Sequence, residues 1–232
     1  VGQSGEYLSP DVDRQVGLGA LGLANLLRRY GVTYEQFGRA LELYNNGETV
    51  RSPAYELVLQ FDSGIKQAAE IARFHNMVRA FAIAPTASCS YRSVDLDGNT
   101  CTPEIAPPIS QTVDRDSGSF GVQHYSYGDV EIASEVGWEN YKRVADGIMR
   151  LYNKTGLMHG YSYNTWSDMI TYDEAFIEDW LESPQTSMYY SLQVMSDTQD
   201  KTDAYAALDG TDVDDYLNEI LNENKVQCDC QE

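Results

Sequence analysis

A long amphipathic stretch that runs straight into a short apolar one limits this chain to few folds. Between residues 53 and 75, apolar side chains recur at Leu57, Leu59, Phe61, Ile65, Ala69 and Ile71, which is helical spacing. Val78-Arg79-Ala80-Phe81-Ala82-Ile83-Ala84 follows and is stopped by Pro85, a run whose length and composition predict a buried strand. The same order recurs near the end. Thr171-x-x-Glu174 is a capping box that opens a short helix, with Phe176, Ile177, Trp180 and Leu181 turned inward and Ser183-Pro184 as its breaker. Residues 187–195 then read as a strand rich in sheet-forming side chains. A third pair joins a helix over 130–153, apolar at Ile132, Val136, Tyr141, Val144, Ile148 and Leu151, to a strand at 161–165. This alternation predicts an α/β fold with parallel strands, in a layered sheet or a barrel, and ligands at the carboxyl ends of the strands.

The rest of the chain is punctuated by caps and loops. Val16, Leu18, Leu21, Leu23, Leu26 and Leu27 suit one helix over 15–30. The segment also holds Gly17-x-Gly19-x-x-Gly22, formally a dinucleotide fingerprint, which needs a strand before it. What precedes it is polar and broken by Pro10, so the glycines are better read as points of close backbone approach. Thr33 with Gln36 marks a helix start, and Asn45-Asn46-Gly47 its end near Tyr44. Residues 95–118, rich in Asp, Gly, Pro, Ser and Thr, predict a long functional loop. Asp95-x-Asp97-Gly98-Asn99 has the flavour of a calcium loop, but its glycine comes early and the distal glutamate is missing.

Charge narrows the function. The 232 residues carry 16 Lys+Arg against 36 Asp+Glu, a net −20, which repels phosphate backbones and argues against nucleic acid as a partner. No apolar run approaches the roughly 20 residues of a membrane span. No basic stretch with an apolar core opens the sequence, which predicts no signal peptide and a reducing, cytoplasmic setting; a start at Val1 suggests a piece of something longer. From Asp197 to Glu232 there are eleven acids and two lysines, so the chain divides into a folded part, 1–195, and an acidic flexible tail, 196–232.

Three places could carry chemistry. Pro85-Thr86-Ala87-Ser88-Cys89-Ser90 lies directly after the first strand, where small residues let backbone amides face a phosphate; a tight strand exit capped by serines is the plainer reading. Tyr189-Tyr190 is either a pair of core aromatics or, where the strand breaks, a stacked pair suited to electron hopping. Cys228 and Cys230 end the tail, and a mobile arm with terminal thiols suits thiol–disulfide exchange. The pair supplies two of the four ligands of a structural zinc, and no histidine is close, so no metal site is expected. His75, His124 and His159 have neither ligand nor triad spacing.

In this order the three places resemble a known family. ARFHNMVRAFAIAPTASCS, then Pro103-Glu104-Ile105-Ala106-Pro107-Pro108, then SPQTSMYYSLQ and the cysteine tail are similar to the C-terminal part of the large, catalytic subunit of class I ribonucleotide reductase. RQVGLGALGLANLL is similar to a glycine-containing helix of that family, and the resemblance runs from about Asp11 to the end. It implies the closing part of a ten-stranded α/β barrel, with Pro85 to Ser90 holding the diphosphate of a ribonucleoside diphosphate. Tyr189 and Tyr190 would relay a radical from a metal-containing small subunit, this chain binding no cofactor itself. Cys228 and Cys230 would re-reduce the active-site disulfide and pass oxidation to thioredoxin or glutaredoxin.

Two departures shape the expectation. None of Cys89, Cys101, Cys228 or Cys230 stands in the family's N-x-C-x-E context, so the chain needs an N-terminal part of the large subunit to supply the reacting cysteines. The tail pair is Cys-x-Cys, tighter than the family's spacing, and Gln185 stands where a lysine precedes the tyrosines. A cobalamin-dependent reductase shares the barrel and phosphate loop but needs no tyrosine relay. A non-catalytic acidic interaction domain is the remaining alternative.

Overall fold

In a computed structural model of the chain, residues 14–84, 86–116, 121–166, 174–182 and 187–191 are described. All belong to the first of the two units into which the chain divides, Val1–Leu192 and Gln193–Glu232. The expected acidic tail and its Cys228 and Cys230 lie outside them, as do Thr171 and Ser183-Pro184.

The elements run β1 (Gln15–Leu18), α1 (Leu23–Arg29), α2 (Tyr34–Asn45), α3 (Pro53–Phe74), β2 (Arg79–Ile83), α4 (Ala87–Ser90), β3 (Thr112–Asp116), β4 (Val122–Ser126), α5 (Ala133–Lys154), β5 (Met158–Trp166), α6 (Glu174–Glu182) and β6 (Ser187–Ser191). The fold is α/β. Three helix–strand units follow the sequence pattern: α3 into β2, α5 into β5 and α6 into β6. Their strands join β1 in one sheet, ordered β1-β2-β5-β6, with every neighbouring pair parallel. Among the described residues the strands close into no barrel, and no helix is long and apolar enough to cross a membrane.

Local chemistry explains the helix limits. Thr33 accepts from the Gln36 amide while Gln36 reaches back to the Thr33 amide, a reciprocal cap on α2. Ser52 caps α3 ahead of Pro53, whose missing N–H removes nothing at a helix start. α5 begins three residues later than the periodicity indicates and bends at Gly137, whose φ of 71° is left-handed.

The core lies between the helices and one sheet face. Phe37 and Leu41 of α2 and Tyr141, Val144 and Ile148 of α5 are fully enclosed. The two helices approach closely because Gly147 has no side chain: a Cβ there would meet Leu41 Cβ at 2.7 Å. Phe81 of β2 stacks on Tyr152 of α5, with ring centroids 4.9 Å apart, which ties that helix to the sheet.

Two sequence expectations are corrected. Residues 15–18 form a strand, not the start of a helix. Gln15 pairs with Arg79 and Leu18 with Phe81, and Gly17 lets β1 lie close, since a Cβ there would stand 3.1 Å from Ala82 Cβ. The apolar series that suited one helix therefore spans a strand, a turn and the short α1. The predicted loop 95–118 contains β3, which pairs antiparallel with β4 from Thr112↔Ser126 to Asp116↔Val122. Stacking of Tyr91 on Tyr125, at 4.4 Å between centroids, pins this hairpin to the segment after α4.

Candidate functional site

The carboxyl ends of β1 and β2 meet one buried loop. β1 leads through Gly19 to Gly22 at the start of α1, and β2 leads through Ala84 to Thr86 and α4. Between them sits Glu104, only 2 % exposed, from the Pro103–Pro108 segment. A Cβ on Gly19 would lie 2.7 Å from Glu104 Oε1. The Ala84 N–H donates to the Glu104 carboxyl. The backbone of the same loop grips α1, because the Gly22 amide donates to the Thr102 carbonyl at 2.9 Å and the Leu23 amide to the Glu104 carbonyl at 3.3 Å.

These bonds decide the fate of the glycine fingerprint. A strand does precede it, contrary to the sequence expectation, yet Gly17 lies inside that strand. The Gly22 and Leu23 amides at the start of the seven-residue α1 are spent on Thr102 and Glu104 rather than directed at a ligand. The glycines serve close approach, as the composition of the preceding segment indicates.

Asn25 organises the far side of the loop. Its Nδ2 donates to Asp95 Oδ2, the Thr100 carbonyl and the Tyr127 carbonyl at 3.2, 3.1 and 3.0 Å, and its Oδ1 accepts from the Thr102 amide at 2.8 Å. Asp95 Oδ1 accepts from the Asp97 and Asn99 amides, so the segment with a calcium flavour is a turn closed on its own backbone. These hydrogen bonds hold the Asp95 carboxyl below its ordinary range against the opposing effect of burial. Among the described residues no group of histidines, cysteines and acids could hold a metal ion.

Burial pushes the Glu104 carboxyl up to about 8, an effect the Ala84 amide only partly offsets, so Glu104 favours its neutral form at pH 7. Among the described residues, its Oε2 is buried without a hydrogen-bond partner, as are Thr86 Oγ1 and Thr102 Oγ1. Thr86 and Glu104 are also left-handed, with φ of 44° and 42°, a region that strains side chains other than glycine.

The sequence-derived site residues fall as follows. Thr86 leads into the single turn Ala87–Ser90, where the Cys89 and Ser90 amides donate back to the Thr86 carbonyl at 3.1 and 3.0 Å. Cys89 is exposed and Ser90 buried; Pro85 and the side chains of Ala87 and Ser88 lie outside the description. Tyr189 and Tyr190 occupy β6 opposite Asn164 and Thr165 of β5. Ile83 of β2 lies opposite Tyr161, three residues earlier on β5. Tyr189 thus stands on β6, next but one to β2 in the sheet, three residues further along β5 than the last β2 pairing. The tyrosine rings lie outside the described atoms. His75 closes α3, and exposed His124 pairs with Asp114 at 2.6 Å; the side chain of His159 is likewise outside the description.

From the sequence, Glu104 stands out only as part of its loop. Its signal is a lone acid between Pro103 and an apolar, proline-rich run, where a carboxylate has little company. No protein-family model matches the chain, and no curated protein matches its sequence.

Proposed function

We propose that this chain is the C-terminal part of the large subunit of a class I ribonucleotide reductase, and that it closes that family's ten-stranded barrel with other parts of the subunit. One observation carries the reading: the turn Thr86 to Ser90 follows the carboxyl end of the parallel strand β2, and Tyr189-Tyr190 stands on β6, next but one to β2 in the same sheet. A ligand site at the carboxyl ends of parallel strands is the general rule for such sheets.

In this reading Thr86 to Ser90, with Pro85, take the diphosphate of a ribonucleoside diphosphate. Tyr189 and Tyr190 pass an unpaired electron inward from a metal-containing small subunit. Cys228 and Cys230 return reducing equivalents from thioredoxin or glutaredoxin by thiol–disulfide exchange. The reacting cysteines come from an N-terminal part of the subunit, because no cysteine here has the N-x-C-x-E surroundings. The adjacent tyrosines favour class I over the cobalamin-dependent class.

The test is reconstitution. Mixed with an N-terminal part carrying N-x-C-x-E and a small subunit, the chain should convert CDP to dCDP with dithiol as reductant. No dCDP from the complete mixture would refute the assignment.

A further inference from the structure

We propose that Glu104 is a positioning residue for the turn after β2, its carboxyl fixing the shape in which Thr86 to Ser90 take an anion. The inference rests on the reading of that turn as a phosphate site.

Three observations carry it. Glu104 is fastened from three elements: its Oε1 fills the space that Gly19 leaves at the exit of β1, the Ala84 amide at the exit of β2 donates to its carboxyl, and its carbonyl accepts from Leu23 at the start of α1. Ala84 is two residues from Thr86, so the carboxyl acts on the turn through its first residues. Next, both ends of this connection hold strained backbone, at Thr86 and at Glu104. Strain of this kind persists where the surroundings over-determine it, and it clusters at ligand sites. Last, Glu104 Oε2 and Thr86 Oγ1 are buried without partners among the described residues. A buried orphan carries its full desolvation penalty, so two such atoms call for a functional explanation.

The charge state follows from the surroundings. Among the described residues Tyr152 of α5 interacts electrostatically with Glu104, and burial raises it too, so both favour the neutral form at pH 7. Gly19, Ala82 and Ala84 bring no charge. A neutral Glu104 leaves the turn free to accept an anion. An ionised one repels the anion and strains against its own burial.

The test follows the backbone amides of Thr86 to Ser90 by NMR in the isotopically labelled chain between about pH 6.5 and about pH 9.5, in wild type and Glu104→Gln. The amides should shift together with a midpoint near that of Glu104, about 8, and the step should vanish in Glu104→Gln, which keeps the shape and stays neutral. CDP and inorganic pyrophosphate are then titrated at both ends of the range. An acid with that midpoint is about one-tenth neutral one pH unit above it, so binding to wild type should weaken about tenfold between about pH 7 and about pH 9, while Glu104→Gln stays level. No step near 8 in the wild-type amides overturns the proposal even if the variant fails to fold, as does the same step in a folded Glu104→Gln. Failure of CDP and pyrophosphate to bind at any pH refutes the phosphate reading instead, and the amide titration still decides the role of Glu104.

Discussion

Gly19 and Glu104 share one volume: a Cβ on Gly19 would stand 2.7 Å from Glu104 Oε1 and 3.0 Å from the carbonyl oxygen of Ala82. Glu104 could swing aside, but the carbonyl belongs to a paired strand and cannot. Gly19→Ala should therefore destabilise the chain by about 1–3 kcal/mol through overpacking. Urea unfolding measures this, and a variant as stable as wild type would show that the two exits are not held together there.

The buried acid also makes stability depend on pH. Its folded value of about 8 lies above its ordinary 4.5, so the folded state holds the proton more tightly than the unfolded one. The neutral form's full contribution is present below the ordinary value. Stability then falls by up to about 1.4 kcal/mol per pH unit as pH rises toward 8, and levels off above. Glu104→Gln removes this dependence, so its advantage over wild type should widen across that window and then stop growing. Parallel stability curves for the two proteins would contradict the buried, neutral state.

Asn25 bonds at once to the Asp95–Thr102 segment and to Tyr127, adding to the backbone bonds that already join α1, this segment and Ser126. Asn25→Ala would strand the Thr100 and Tyr127 carbonyls and the Thr102 amide in a buried place. A loss of roughly 2–4 kcal/mol is expected, because orphaned buried groups carry their full desolvation penalty. Chemical denaturation of the variant checks this, and a loss below about 0.5 kcal/mol would mean that water replaces the side chain.

The parts of the fold legible in the sequence are those where burial sets the period. Ile65 and Ala69 of α3, and Ala80, Phe81 and Ile83 of β2, are apolar because they are enclosed, and their spacing announces helix and strand. β1 was hidden for the opposite reason. It has four residues, all exposed, two of them Gln15 and Gly17, and its apolar members fall in step with those of α1. The β3–β4 hairpin was hidden because its described side chains are exposed or half-buried, so no face is apolar enough to stand out in an acidic loop. The turn after β2 was legible from its small residues. Its dependence on Glu104 was not, because that burial is created by Gly19, distant in the chain.

The tail thiols are expected to matter for repeated turnover alone. With Cys228 and Cys230 both changed to Ser, the reconstituted enzyme should still complete a single turnover and should lose multiple turnovers driven by thioredoxin. Rapid-quench measurement of dCDP per active site separates the two. Undiminished multiple turnover would remove the tail from the reaction.

The radical relay is tested most directly by Tyr190→Phe in the reconstituted enzyme, with dCDP formation and the small-subunit radical followed together. Phenylalanine keeps the ring and removes the phenolic O–H, so the reading predicts an intact radical on the small subunit and dCDP formation at background. Turnover equal to wild type with phenylalanine at that position would contradict it.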